Sequence, residues 1–103
     1  MLAQELDEIK RKLVEQLSPV RLYLFGSYAD GTYTEDSDLD LYIVVHNDVS
    51  DLSNAASLAY RAVRDVKRRP VDILVGTLAR FEEKRLTPSV ENEVYRTGVL
   101  LFC

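Results

Sequence analysis

Asp38 and Asp40 stand one residue apart at the head of the apolar run LDLYIVV, and Gly26-Ser27 precedes Asp38 with ten residues between. Side chains alternate along a strand, so the two aspartates share a face with Cα atoms about 6.6 Å apart. That arrangement suits oxygen donors gripping a hard cation. Upstream, LYLFGS reads as a buried strand that breaks at Gly26, with Ser27 capping a short helix whose free N–H groups point outward. Such a turn attracts phosphate. A phosphate cradle beside a divalent-metal site is the chemistry of nucleoside triphosphates.

Asp72 supplies a third carboxylate. It sits inside VDILV, facing away from Val71 and Ile73, and a charge within a short apolar strand is costly unless something satisfies it. If that strand pairs beside the one bearing Asp38 and Asp40, the three carboxylates converge and raise one another's pKa values. Bound Mg²⁺ relieves that repulsion. The implied reaction is two-metal nucleotidyl transfer, with two ions, Asp38 and Asp40 bridging them, and Asp72 completing the nucleophile-side ion and accepting the hydroxyl proton. Gly26 allows close backbone approach and Ser27 holds the β- and γ-phosphates, so pyrophosphate is the leaving group. A P-loop is excluded, because GxxxxGK[ST] does not occur.

The elements that must position these residues follow from periodicity. Leu2, Leu6, Ile9, Leu13 and Leu17 mark an amphipathic helix ending before Ser18-Pro19. A first strand is expected over 20–25, a short helix over 27–33, and a second strand over about 38–45. A long helix over about 53–68 buries Leu58, Ala59, Ala62, Val63 and Val66, and Arg69-Pro70 stops it. VDILV at 71–75 is the third strand, Gly76-Thr77 opens a further helix, and Thr87-Pro88 reads as the cap and first residue of the last one, with Gly98 as its stop. GVLLF gives a short final strand. This order predicts an α/β (α+β) domain, a small mixed β-sheet with helices packed on one side.

The chain of 103 residues is read as one domain, residues 1–103, and its 47% apolar content is that of an ordinary globular protein. No apolar run approaches the length of a membrane span and the N-terminus does not resemble a signal peptide, so a cytoplasmic location and no membrane partner are expected. The single cysteine, Cys103, excludes a disulfide scaffold or cysteine-based zinc site. A net charge of −4 argues against direct nucleic-acid binding by the whole surface. Asp30, Glu35, Asp36, Asp38 and Asp40 crowd one stretch without a single Lys or Arg.

Gly26-Ser27, Asp38-Leu39-Asp40 and Asp72 in RPVDILV together resemble the nucleotidyltransferase superfamily related to DNA polymerase β. The chain is most similar to its minimal nucleotidyltransferase (MNT) group, densest from Val20 to Gly76. The resemblance implies a polymerase β palm-like fold, Mg²⁺, and ATP as nucleotide donor. It also implies a HEPN-domain toxin as partner, with AMP transferred to a tyrosine as in HEPN/MNT toxin–antitoxin pairs. Many relatives carry basic residues just after Gly-Ser, where this chain has Tyr28 and Asp30, and Asp30 is expected to repel a triphosphate.

Blander readings compete. Asp72 could pair with Arg69, and His46 reads as a surface residue. Arg61, Arg64, Lys67, Arg68 and Arg69 read as a solvated helix face, with docking to an acidic partner, to RNA or to a triphosphate tail as alternatives. Tyr28, Tyr33 and Tyr42 could stack a base but more often serve packing. The competing functions are a binding module that neutralises its partner by contact, and nucleotidyl transfer to a small molecule or RNA end. Self-association is left open.

Overall fold

The computed structural model describes residues 2–103. The chain runs α1 (Leu2–Leu17), β1 (Arg21–Phe25), α2 (Ser27–Asp30), β2 (Leu39–Val45), α3 (Leu52–Val63), β3 (Val71–Thr77), α4 (Leu78–Lys84), α5 (Val90–Thr97) and β4 (Val99–Phe102). The four strands form one mixed sheet in the order β3-β2-β1-β4. β1 is antiparallel to both neighbours, while β2 and β3 run parallel. Parallel pairing demands a crossover, and α3 provides it.

Strand alternation divides the sheet into two faces with different cover. Leu22, Leu24, Leu39, Leu41, Ile43, Val45 and Ile73 meet Ile9 and Leu13 of α1 and Ala59 and Val63 of α3 in the larger core. Phe25, Tyr42 and Val44 meet Phe81 of α4 and Val94 of α5 in a smaller one on the other face. The long helices therefore do lie together on one side, as the sequence suggests. The short α4–α5 pair covers part of the opposite face, because Phe81 and Val94 find apolar partners only there.

Several boundaries move. α3 ends at Val63 instead of Arg68, giving way to turns over residues 64–66. The helix-opening cap is Ser89, whose hydroxyl accepts the Asn92 N–H at 3.1 Å, instead of Thr87. Gly98 does end α5, its N–H bonded to the Val94 carbonyl at 2.8 Å. α2 is confined to one turn, and its cap position falls on Gly26 rather than Ser27, which is the first helical residue.

Candidate active site

The end of β1 and the starts of β2 and β3 lie at one edge of the sheet, and the predicted residues are all carried there. Phe25 pairs with Asp40, and Asp40 pairs in turn with Asp72 across the parallel ladder. Adjacent strands lie about 4.8 Å apart, so Asp40 and Asp72 are direct neighbours on one face. Leu39 N–H donates to the Pro70 carbonyl at 2.9 Å, which locks the two strand entries together. Asp38 precedes β2 by one residue and is exposed, Asp40 is half-buried, and Asp72 is exposed.

Gly26 takes φ 74° and ψ −153°, a conformation that side-chain-bearing residues avoid. A Cβ there would collide with Asp40 Oδ2, so glycine is required both by the turn and by the carboxylate behind it. The Gly26 carbonyl accepts the N–H groups of Ala29 and Asp30, and the Ser27 carbonyl accepts those of Gly31 and Thr32. The loop thus folds tightly beside the carboxylates. Asp30 keeps its negative charge at this turn, with one oxygen engaged locally. Its Oδ1 accepts the Thr32 hydroxyl at 2.6 Å and the Thr32 N–H at 3.0 Å, and these bonds hold its carboxyl below the usual range.

Asp40 behaves oppositely. Burial, then the charges of Asp72, Asp38 and Glu93, push its carboxyl above the ordinary value. Glu93, on α5, was not predictable as a neighbour, since only the docking of α5 on this face brings it there. Among the described residues the ion pairs are Arg21–Glu82, Arg69–Glu5, Arg80–Glu91 and Arg85–Glu82, so none of the three aspartates is paired with Lys or Arg. The alternative pairing of Asp72 with Arg69 does not form. Among the described residues no three His, Cys, Asp or Glu side chains close on a common point as a metal shell. The donor set still fits a hard divalent cation, because hard oxygen donors crowd together without any internal counter-charge.

Two buried acids that the sequence reading missed brace this end of the sheet. Glu5, 1% exposed, accepts the Arg68 N–H at 2.6 Å and the Arg69 guanidinium at 2.8 Å. Arg69 also donates to the Tyr28 hydroxyl at 3.2 Å and covers that ring, whose other neighbour is Tyr33, stacked at 4.4 Å. The signal lay in α1: Glu5 precedes Ile9 by one helical turn and Leu13 by two, so it belongs to the buried stripe. Glu91, 2% exposed, accepts the Tyr42 hydroxyl at 2.7 Å and Arg80 Nε at 3.2 Å. Desolvation pushes Glu91 up, but these bonds and the Arg80 charge outweigh it and hold the carboxyl low. Gly76 makes room for Tyr42, since a Cβ there would strike its hydroxyl. Tyr42 is thus a packing residue, while Tyr28 and Tyr33 line a groove of about 550 Å³ with Thr34, Glu35, Arg68 and Arg69.

The chain belongs to the nucleotidyltransferase domain family, whose match spans residues 6–100. It is 34% identical over 85 residues to the protein of Methanocaldococcus jannaschii named "Putative protein adenylyltransferase MJ0604", covering 80% of this chain and 77% of that protein. Its fold is similar to that of the solved toxin–antitoxin MntA–HpeT, in a mutant form, with a TM-score of 0.68 and 21% identity over 93% of this chain and 71% of the other. A toxin–antitoxin crystallised with AMP-PNP gives a TM-score of 0.59 and 23% identity over the same shares, 93% and 71%. Among the described residues no helix is long and apolar enough to cross a membrane.

Proposed function

We propose that this nucleotidyltransferase moves AMP from ATP to a hydroxyl on a partner protein. The observation that carries the reading is the pairing of Asp40 with Asp72, beside Asp38 and the Gly26 turn, with no ion pair to any of the three among the described residues. Asp38, Asp40 and Asp72 would hold Mg²⁺, which when bound neutralises the triphosphate and lowers the pKa of the acceptor hydroxyl. Gly26 and Ser27 present backbone to the β- and γ-phosphates. The acceptor oxygen bonds to the α-phosphorus, the bond to pyrophosphate breaks, and Asp72 takes the hydroxyl proton.

The acceptor class rests on three supports. The related archaeal protein is named for protein adenylyltransfer. Two proteins of similar fold are toxin–antitoxins, one of them with an ATP analogue. The carboxylate face of this small domain is covered only by the short α4–α5 pair, which leaves the acceptor to be brought by another macromolecule; a HEPN-domain toxin fits that role. The test is incubation with labelled ATP, Mg²⁺ and a cognate HEPN protein. Label should appear on the partner and fall by about 10²- to 10³-fold with Asp38→Ala or Asp40→Ala, the scale for removing a group that stabilises transition-state charge. A stable complex with no label would instead establish a module that neutralises its partner by contact.

A further inference from the structure

Tyr60 belongs to α3, which packs on the face of the sheet opposite the carboxylates, yet its side chain reaches round the open edge of β3. Its hydroxyl accepts the Ile73 N–H at 2.9 Å and lies 3.3 Å from Asp72 Oδ1 and 3.4 Å from the Ile73 carbonyl oxygen. The first contact is a cap on an edge strand, whose outward N–H would otherwise depend on water. The other two compete. A phenol has one proton, so Tyr60 can donate to the Asp72 carboxylate or to the Ile73 carbonyl, but not to both at once. Their distances are nearly equal, which makes the two donor positions interchangeable with little movement of the ring.

We propose that Tyr60 is a positioning residue for Asp72, holding its carboxylate at the sheet edge in the metal-free protein and releasing it toward Asp38 and Asp40 by turning its proton to the Ile73 carbonyl. The inference deepens the functional reading above and rests on it. The Ile73 N–H keeps its partner in both positions, so release of Asp72 leaves no donor unsatisfied.

Mn²⁺ titration followed by electron paramagnetic resonance, on four proteins, tests the idea. They are the unmodified chain, Tyr60→Phe, Asp72→Asn and the double variant. Tyr60→Phe removes the competitor for the carboxylate and should raise Mn²⁺ affinity about five-fold, the scale of one net hydrogen bond. In the Asp72→Asn background the same change should have no more than about a two-fold effect. Equal effects in both backgrounds, or none, would reduce Tyr60 to an edge cap and overturn the proposal. A merely structural role would still speed exchange of the Ile73 amide, but it would not couple to Asp72. Should Tyr60→Phe fail to fold, the ¹³Cζ resonance of Tyr60 in the unmodified chain gives the same answer. It should move on Mg²⁺ addition, and a movement just as large in Asp72→Asn sinks the inference. Absence of any ion binding would remove the functional reading with it, whereas binding lost in Asp40→Asn without Tyr60–Asp72 coupling removes the positioning role alone.

Discussion

Glu5 is buried and Asp40 half-buried, but Glu5 is met by the Arg68 N–H and the Arg69 guanidinium, whereas Asp40 faces Asp38, Asp72 and Glu93 with no ion pair among the described residues. Glu91 follows Glu5, with Tyr42 and Arg80 around it. Carboxylates buried to build the fold are thus furnished with partners from the same chain. The carboxylates gathered where β1 ends and β2 and β3 begin have no such partner among the described residues. The contrast separates acids satisfied within the fold from those proposed to act in the site, without reference to any motif.

The contrast breaks most visibly at Glu5. Glu5→Ala strands the part-buried Arg69 and should cost about 3 kcal/mol in urea-denaturation stability, the lower end for a broken buried pair. A loss below about 1 kcal/mol would show that Glu5 is not structural. Gly26→Ala should cost about 2 kcal/mol, because φ 74° is strained for alanine and the new Cβ displaces the Asp40 carboxylate. Its Mn²⁺ affinity should fall as well, which separates it from a change that is only structural.

Asp40→Asn should act in the opposite direction. Removing a repelled charge is expected to stabilise the metal-free protein by about 1 kcal/mol near neutral pH, and saturating Mg²⁺ should reverse the order of thermal midpoints. The pH dependence sharpens this. The Asp40 pKa is raised in the folded state, so its favourable contribution is fully present below the unfolded value of about 3.9 and is lost as pH rises through the folded value. The midpoint difference between Asp40→Asn and the unmodified chain should therefore shrink as pH falls toward about 4. Glu91, held low, carries the opposite sign and cancels in that difference.

What the sequence reveals and what it hides follow the range of the interactions. Alternation in LDLYIVV fixes which face Asp40 takes, and the misplaced charge in VDILV singles out Asp72, because both are local consequences of strand geometry. The early end of α3 is not local. Beyond the turns over 64–66, Arg68 and Arg69 meet Glu5, more than sixty positions away in the chain. The partner of Arg69, the arrival of Glu93 beside Asp40 and the reach of Tyr60 round β3 all depend on docking between distant elements. Ser89 displaces Thr87 as a cap because the helix begins at Val90, so the Asn92 N–H falls to the Ser89 hydroxyl, which donates in turn to the Lys84 carbonyl at 2.8 Å.

The bond from Glu5 to Arg69 has a reach beyond its own stability. Arg69 stands three residues before Asp72 and touches Tyr28, two residues after Gly26, so one acid in the first helix ties the strand bearing the third carboxylate to the glycine bend. Weakening this keystone would leave the strands paired while loosening the span between the carboxylates and the glycine bend. The proposed transfer should then slow even in molecules that remain folded.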